Sequence, residues 1–210
     1  MWIALAAALQ AAPSRWDGVA DGSWVDYRLM FLRPTGEIAG RIYREQAEPG
    51  RRPQAFTQGL EEVSRSPARW KDRPCQVVEF VGAGQSLTAW VVEGVSIPAR
   101  QVDSVDIPPG VVRALRILRS PGRTTTIQVD VDDLQTTLEI SGRRYDCVVE
   151  TSSSIVECGT SRVVRARRRW LSAEVPGHLV RQERQCTNKP EAIAHQYDTR
   201  DDLVDFHLAR

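Results

Sequence analysis

The stretch from Tyr145 to Val180 constrains the fold more than any other part of the sequence. Its first phrase, YDCVVET, places Tyr145, Cys147 and Val149 on one face of a period-two pattern, as in a half-buried β-strand. A polar segment then leads to an arginine-rich run that ends at Trp170, and the turn residues EVPG follow. The stretch therefore predicts a meander of three antiparallel strands.

A looser copy of this pattern precedes it. The phrases DRPCQVVEF, SLTAWVVEG and VSIPARQVD follow one another there, and their key residues match in order: Cys75 with Cys147, Trp90 with Trp170, and Pro98 with Pro176. We therefore predict an internal repeat, about residues 70–102 and 138–186, whose cysteines and tryptophans superpose. The extra residues of the second copy are expected in a loop between 152 and 161.

Alternation also predicts strands outside the repeat, at residues 25–42 (a hairpin around RPTGE), 56–63, 125–140 and 193–208. Strands separated by Gly and Pro predict a mainly β fold: a curved antiparallel sheet, forming a half-barrel or a sandwich. The segment 111–119 is the exception. Its apolar residues follow helical spacing after Pro109, which predicts one short helix.

The length and the charge narrow the class of protein. The chain has 210 residues, which suffices for one β-rich domain that we place at residues 13–210. With 28 basic and 27 acidic side chains, the net charge at pH 7 is +1. So balanced a charge argues against a nucleic-acid partner.

The N-terminal residues MWIALAAALQAA resemble a short signal peptide. They combine an apolar run with small residues, and Pro13 follows directly. We therefore expect cleavage after about residue 12 and a periplasmic or secreted product. A buried first strand is the alternative. The apolar run is well short of the ~20 residues that a spanning helix needs, so no transmembrane segment is predicted.

Residues that commonly carry catalysis or bind metals are scattered. The four cysteines form no CxxC pair, and His178, His195 and His207 are widely spaced, so neither a metal site nor a cofactor is predicted. Cys75 and Cys147 lie within apolar strands, where buried structural thiols are more common than nucleophiles. We therefore predict no catalytic residue.

An arginine cluster gives one local excess of charge. In an extended strand Arg165, Arg167 and Arg169 point the same way and form a basic ridge. Such a ridge would suit a lipid headgroup, an anionic glycan or the acidic patch of an envelope protein. The alternative is a solvated face that Glu150 or Glu183 balances from neighbouring strands.

The tryptophans of the two copies are further candidates. Trp90 and Trp170 each stand once per repeat, at corresponding positions. Core packing is the favoured interpretation, because one aromatic ring per repeat more often fills the core, and the alternative is that the two rings line a ligand cavity.

The cysteines also raise the question of a disulfide, since exported chains can oxidise their thiols. The predicted register puts Cys147 and Cys186 level with Arg165 on opposite sides of its strand, ~10 Å apart and too far for a bond. Cys75 has no companion in the first copy, so that position and Cys147 are predicted to be free and buried. The remaining pair, Cys158 and Cys186, is predicted to form the disulfide.

Residues of the second copy resemble a family of exported bacterial proteins of unknown function. In that family T-L-x-I-x-G-x-x-Y-x-C-x-V-V-E leads to W-x-S-x-x-V-P-G-x-L-V-R. The matching residues here are Leu138, Ile140, Gly142, Tyr145, Cys147, Trp170, Ser172, Val175, Pro176, Gly177, Leu179 and Val180. Such proteins are similar in pattern to the half-barrel lipoprotein carriers of the bacterial envelope. The resemblance implies a curved sheet that cradles a ligand, and it brings no catalytic residues.

Two functions remain open on the sequence. The first is an exported, non-enzymatic envelope protein that binds or scaffolds a partner through its curved sheet, with the ligand unspecified. The alternative is an envelope hydrolase that uses one of the scattered Ser, Cys or His residues. A hydrolase would bring a histidine within hydrogen-bond reach of a Ser or Cys nucleophile in a cleft. A binding protein would instead show a lined concave surface.

Overall fold

The computed structural model describes residue 16 and residues 19–33, 35–47, 56–102, 105–188 and 198–209. The cleavage site predicted after residue 12 and the candidate His195 therefore lie outside the described residues. Strand β13 bears out the later part of the strand predicted at 193–208, and residues 193–197 are also outside.

Thirteen strands make up the regular structure of these residues, and no helix occurs among them. In chain order they are β1 (Trp24–Arg33), β2 (Gly36–Gln46), β3 (Glu61–Trp70), β4 (Arg73–Gly82), β5 (Gln85–Val91), β6 (Arg100–Val102), β7 (Val105–Ile107), β8 (Val111–Ser120), β9 (Arg123–Ile140), β10 (Arg143–Cys158), β11 (Ser161–Leu171), β12 (Leu179–Asn188) and β13 (Asp198–His207). No helix in the described residues is long and apolar enough to cross a membrane.

Eleven strands form one antiparallel sheet in the order β2-β1-β13-β12-β11-β10-β9-β8-β5-β4-β3. The sheet does not close, so β2 and β3 are its edges. The remaining two strands, β6 and β7, form a separate hairpin within the long connection from β5 to β8. This architecture confirms the predicted mainly β, antiparallel class.

Cross-strand pairing divides the side chains of the sheet between two faces. Glu150 lies opposite Val131 on β9 and opposite Arg169 on β11, so these three share one face. The β6–β7 hairpin packs against it, and we call it the covered face. Trp170 pairs with Val149, the residue before Glu150, and therefore lies on the other side, which we call the opposite face.

The largest buried apolar cluster lies between the hairpin and the covered face. From the sheet it takes Val78, Phe80, Leu87, Ala89, Val91, Val111, Ala114, Ile127 and Val129, and from outside it Phe56, Val102, Val105 and Ile107. Burying a side chain of this size stabilises a fold by about 1.5–3 kcal/mol. The hairpin thus fills the apolar half of the covered face.

The helix predicted at 111–119 was wrong, because these residues form strand β8. The strand buries Ala114 and Arg116 on the covered face, whereas Arg113 and Arg119 are exposed. Arg116 occupies a buried position where a strand pattern normally has an apolar residue. That arginine weakened the period-two signal and left helical spacing as the stronger one.

The loop predicted at 152–161 was also wrong, since β10 continues to Cys158 and only Gly159 and Thr160 make the turn. Three consecutive serines weaken a strand signal. Here β9 and β11 both flank the segment, so ladders on two sides satisfy its backbone groups. Ser152 and Ser154 are buried on the covered face.

Candidate ligand-binding groove

The predicted basic ridge lies on the covered face of β11. Arg165, Arg167 and Arg169 pair in turn with Ser154, Ser152 and Glu150 of β10, so all three share that face. Arg165 is exposed, Arg167 is half-buried and Arg169 is buried. The ridge therefore runs from solvent into the protein instead of forming one open surface.

Arg169 ends in a buried ionic cluster with Glu150 and Arg100, which we call the Glu150 cluster. Arg169 Nη2 donates to Glu150 Oε1, and Arg100 Nε of the β6–β7 hairpin donates to Oε2. The side chains of Arg100 and Glu150 are fully buried. Burial lowers the pKa of Arg100, and Glu150 opposes that shift. One carboxylate thus pairs with two guanidinium groups, and the cluster keeps a net charge of +1.

Backbone carbonyls complete the cluster. Arg100 donates to Pro108 O at 3.3 Å and to Val111 O, and Arg169 Nη1 donates to Gln101 O at 2.5 Å. These bonds tie the hairpin to β8, β10 and β11. Bonded on several sides and shielded from solvent, the cluster anchors the hairpin and is not a binding surface.

The two candidate tryptophans are half-buried on the opposite face, each beneath an arginine. The Arg113 guanidinium lies 5.0 Å from the centroid of the Trp90 ring. Arg168 lies 5.0 Å and Arg181 5.9 Å from the centroid of the Trp170 ring. Both rings also pack against buried apolar clusters. Each tryptophan therefore joins core packing to a cation–π contact near the surface.

The two tryptophans occupy equivalent positions in their strand pairs. Trp90 pairs with Val77, two residues after Cys75, and Trp170 pairs with Val149, two residues after Cys147. The register of pairing with the next strand in the sheet also shifts directly after each tryptophan.

The next two strands extend this match. Arg113 and Arg181 lie opposite the tryptophans, and they form ion pairs of 3.0 Å with Asp130 and 2.6 Å with Asp202. The strands that carry these arginines begin just after Pro-Gly turns, at Pro109 and Pro176 respectively, whereas Pro98 precedes β6. The matched Cys, Trp, Arg and Asp residues thus lie on two sets of four adjacent strands. These sets are β4-β5-β8-β9 and β10-β11-β12-β13.

A groove of about 380 Å³ crosses strands β9 to β12. Its apolar lining residues are Leu32 and Ala166, and its polar ones are Gln128, Asp130, Thr151, Ser152, Ser153, Arg167, Arg168, Glu183, Arg184 and Gln185. By register, most of these side chains belong to the opposite face.

One straight row of the sheet crosses this groove. Asp130, Thr151, Arg168 and Glu183 lie directly opposite one another on β9, β10, β11 and β12. Since neighbouring strands lie ~4.8 Å apart, the row extends over about 14 Å. It therefore offers acceptors, a hydroxyl and a cation in line across the strands.

Arg168 is the one cation of the row. Asp130 pairs with Arg113 and accepts a hydrogen bond of 2.7 Å from Gln128. Arg168 has no hydrogen bond or ion pair within the described part of the chain, and its guanidinium contacts the Trp170 ring. The N–H groups of Arg168 therefore remain available to a ligand.

No protein-family model, curated protein or solved structure matches this chain. The groove is therefore interpreted from its own geometry. Sequence reasoning had singled out Arg165, Arg167 and Arg169, which share a face, and so passed over Arg168 between them. The signal that would have found it is the adjacency of Arg168 to Trp170 two residues on, on the same face of the strand.

Among the residues that a hydrolase could use, the structure defines the surroundings of His207, Cys75 and Cys147. His207 stacks against Trp24, with ring centroids 6.0 Å apart. Burial raises the pKa of the Cys75 thiol, and burial with nearby carboxylates raises that of Cys147 to about 11. A thiol held in its protonated form is a poor nucleophile. These two cysteines are buried and form no disulfide, as predicted for them.

The disulfide predicted between Cys158 and Cys186 is not formed, and both residues are exposed free thiols. Cys158 pairs with Ser161, whereas Cys186 pairs with Arg165. Four positions along β11 and two strand spacings therefore separate the cysteines, well beyond the ~7 Å that a disulfide allows. The prediction failed because it placed the turn before β11 near residue 156 instead of at Gly159 and Thr160.

We expect two fast-reacting and two protected thiols in the native protein. At pH 8 an aromatic disulfide reagent should modify Cys158 and Cys186 rapidly, and Cys75 and Cys147 only after unfolding, because burial excludes the reagent and favours the thiol. The neutral Cys147 thiol stabilises the folded state below its ordinary pKa of 9.0, and that contribution is lost as pH rises through about 11. Four fast thiols, located by peptide mapping, would contradict the assignment.

Proposed function

We propose that this chain is an exported, non-enzymatic binding protein whose groove takes a carboxylated glycan. The observation that carries the proposal is the position of Arg168, an unneutralised guanidinium beside Trp170 in a groove lined mainly by polar groups. Arginine recognises a carboxylate well because its planar fork donates more than one hydrogen bond.

The lining favours a sugar over an acyl chain. Thr151, Ser153 and Gln185 provide donors and acceptors for ligand hydroxyls, while Leu32 and the arginine stems offer apolar contact to ring faces. An acyl chain would require an apolar surface. The apolar half of the covered face is already occupied by Val102, Val105 and Ile107 of the hairpin connection.

The charge of the groove favours a sparsely charged ligand. Three arginines face two acidic residues among the lining residues, which leaves only a small positive excess. Asp130 and Glu183 would repel a densely sulfated chain. A short oligomer of a uronic acid offers a carboxylate to the arginine and carries less charge than a densely sulfated chain.

We also propose that the chain contains an internal duplication whose unit is four strands. The shared register of Cys75 with Cys147 and of Trp90 with Trp170 supports it. In that register Arg168 corresponds to Thr88, because each stands two residues before the tryptophan on its strand. The arginine of the groove thus belongs to the second unit, and threonine is a residue that the fold accepts at the corresponding place in the first.

We expect Arg168→Thr to weaken binding of oligogalacturonate by about 10- to 100-fold, because a charge-assisted hydrogen bond is lost. Isothermal titration calorimetry on the full chain measures this effect. The matched control is Arg162→Thr, which alters an exposed arginine on the same face of β11 outside the groove lining and should leave the affinity within about twofold.

Two outcomes would contradict the proposal. In the first, the wild-type protein does not bind the uronic-acid oligomer, whether or not it binds heparin or a fatty acid. In the second, Arg168→Thr binds as tightly as the wild type does.

A further inference from the structure

Arg116 is an arginine that is buried on the covered face without an opposite charge. Arg116 of β8 is 6% exposed. Its Nη2 donates to Gln85 Oε1 at 2.8 Å, while Nε and Nη1 are buried and have no hydrogen-bond partner. Arg100, by contrast, is matched to a carboxylate and two carbonyls.

The surroundings of Arg116 are apolar. Its direct neighbours across the ladders are Leu87 on β5 and Ile127 on β9, and Phe80 lies opposite Leu87 on β4. All three belong to the large buried cluster beneath the hairpin. Burial lowers the pKa of Arg116, yet an arginine remains protonated at neutral pH.

An unpaired buried cation opposes folding, and an apolar residue of similar volume at this position would avoid the cost. The neighbouring positions on the same face, Ala114 and the half-buried Leu118, are apolar. The neutral Gln85 bond fixes the position of the guanidinium without neutralising it. Two unbonded donors on one guanidinium, with no carboxylate paired to it among the described residues, point to an anion that comes from outside the chain.

We propose that Arg116 is an oxyanion-binding site on the covered face, which receives a carboxylate or phosphate group. The source is either a free anion or the head group of an amphiphile. The site lies on the face away from the groove row and does not depend on the proposed glycan function.

The test titrates the full chain with inorganic phosphate, acetate and octanoate by calorimetry, for the wild type, Arg116→Met and the control Arg119→Met. Arg119 is exposed on the same strand, so its substitution removes an equal charge outside the site. We expect the wild type and Arg119→Met to bind alike, and Arg116→Met to lose about 10- to 100-fold in affinity. Octanoate binding tighter than acetate identifies an amphiphile head group, and phosphate binding tighter than both identifies a free anion.

The melting temperature without ligand shows whether Arg116 serves a binding site or only stabilises the fold. Removing an unneutralised buried charge should raise the melting temperature of Arg116→Met above that of the wild type, whereas loss of a structural contact would lower it. If Arg116→Met does not fold, Arg116→Gln serves in its place, because it keeps a polar group and loses the charge. Absence of binding to all three anions in the wild type, or equal binding by the folded Arg116 variant, overturns the proposal.

Discussion

Glu150→Gln is expected to lower the free energy of unfolding by about 3–5 kcal/mol, because it leaves two buried guanidinium groups without a counter-charge. Glu150 is fully buried and bonds both Arg100 and Arg169. The amide is nearly isosteric with the carboxylate, so the loss reports charge and not volume. Urea unfolding monitored by tryptophan fluorescence measures it, and a shift in midpoint without a change in slope marks a change in stability alone.

Two controls show whether the burial of charge is the cause. Glu157→Gln alters an exposed glutamate on the same strand, 3.7 Å from Arg162, and should change stability by no more than about 0.5 kcal/mol. Replacing all three charged residues together, as Arg100→Met, Glu150→Leu and Arg169→Met, should restore most of the loss, since no charge is then left unpaired. Equal effects of Glu150→Gln and Glu157→Gln would contradict the buried cluster.

Ile107→Ala is expected to destabilise the protein by about 2–5 kcal/mol, because it opens a cavity between the hairpin and the sheet. Ile107 is 2% exposed and packs in the largest apolar cluster. The control Ile42→Ala removes the same atoms from edge strand β2, where the side chain is 53% exposed, and should cost no more than about 0.5 kcal/mol. Thermal and urea unfolding distinguish the two. A small effect at Ile107 would mean that the hairpin does not cover the sheet in solution.

Alternation in the sequence was sufficient for strands whose buried face is apolar. The phrase around Tyr145 and Cys147 and strand β1 were predicted in this way. It failed where a buried position carries a polar side chain. Arg116 in β8 and the serines of β10 lack the alternation that is typical of a strand. These segments are strands because they pair with strands on both sides, and the local sequence does not show that pairing.

The candidate site was harder to predict, since its residues come from strands that meet only in the folded sheet. The arginine-rich run drew attention to β11, and Glu150 was correctly named as a counter-charge from the next strand. The groove, however, depends on the register that aligns Asp130, Thr151, Arg168 and Glu183. The disulfide prediction was wrong for the same reason, since cross-strand neighbours depend on the register. A small displacement of one turn places Cys158 away from Cys186.

The measurement that tests the central claim most directly is a titration of the ¹⁵N-labelled chain with oligogalacturonate, followed by NMR. We expect chemical-shift changes at the amides of Thr151, Arg168 and Glu183 and at the indole of Trp170, which surround the groove on the opposite face. Arg168→Thr should abolish them at the same ligand concentration. Shifts confined to the covered face around Arg116, or no shifts at all, would contradict the assignment of the groove as the glycan site.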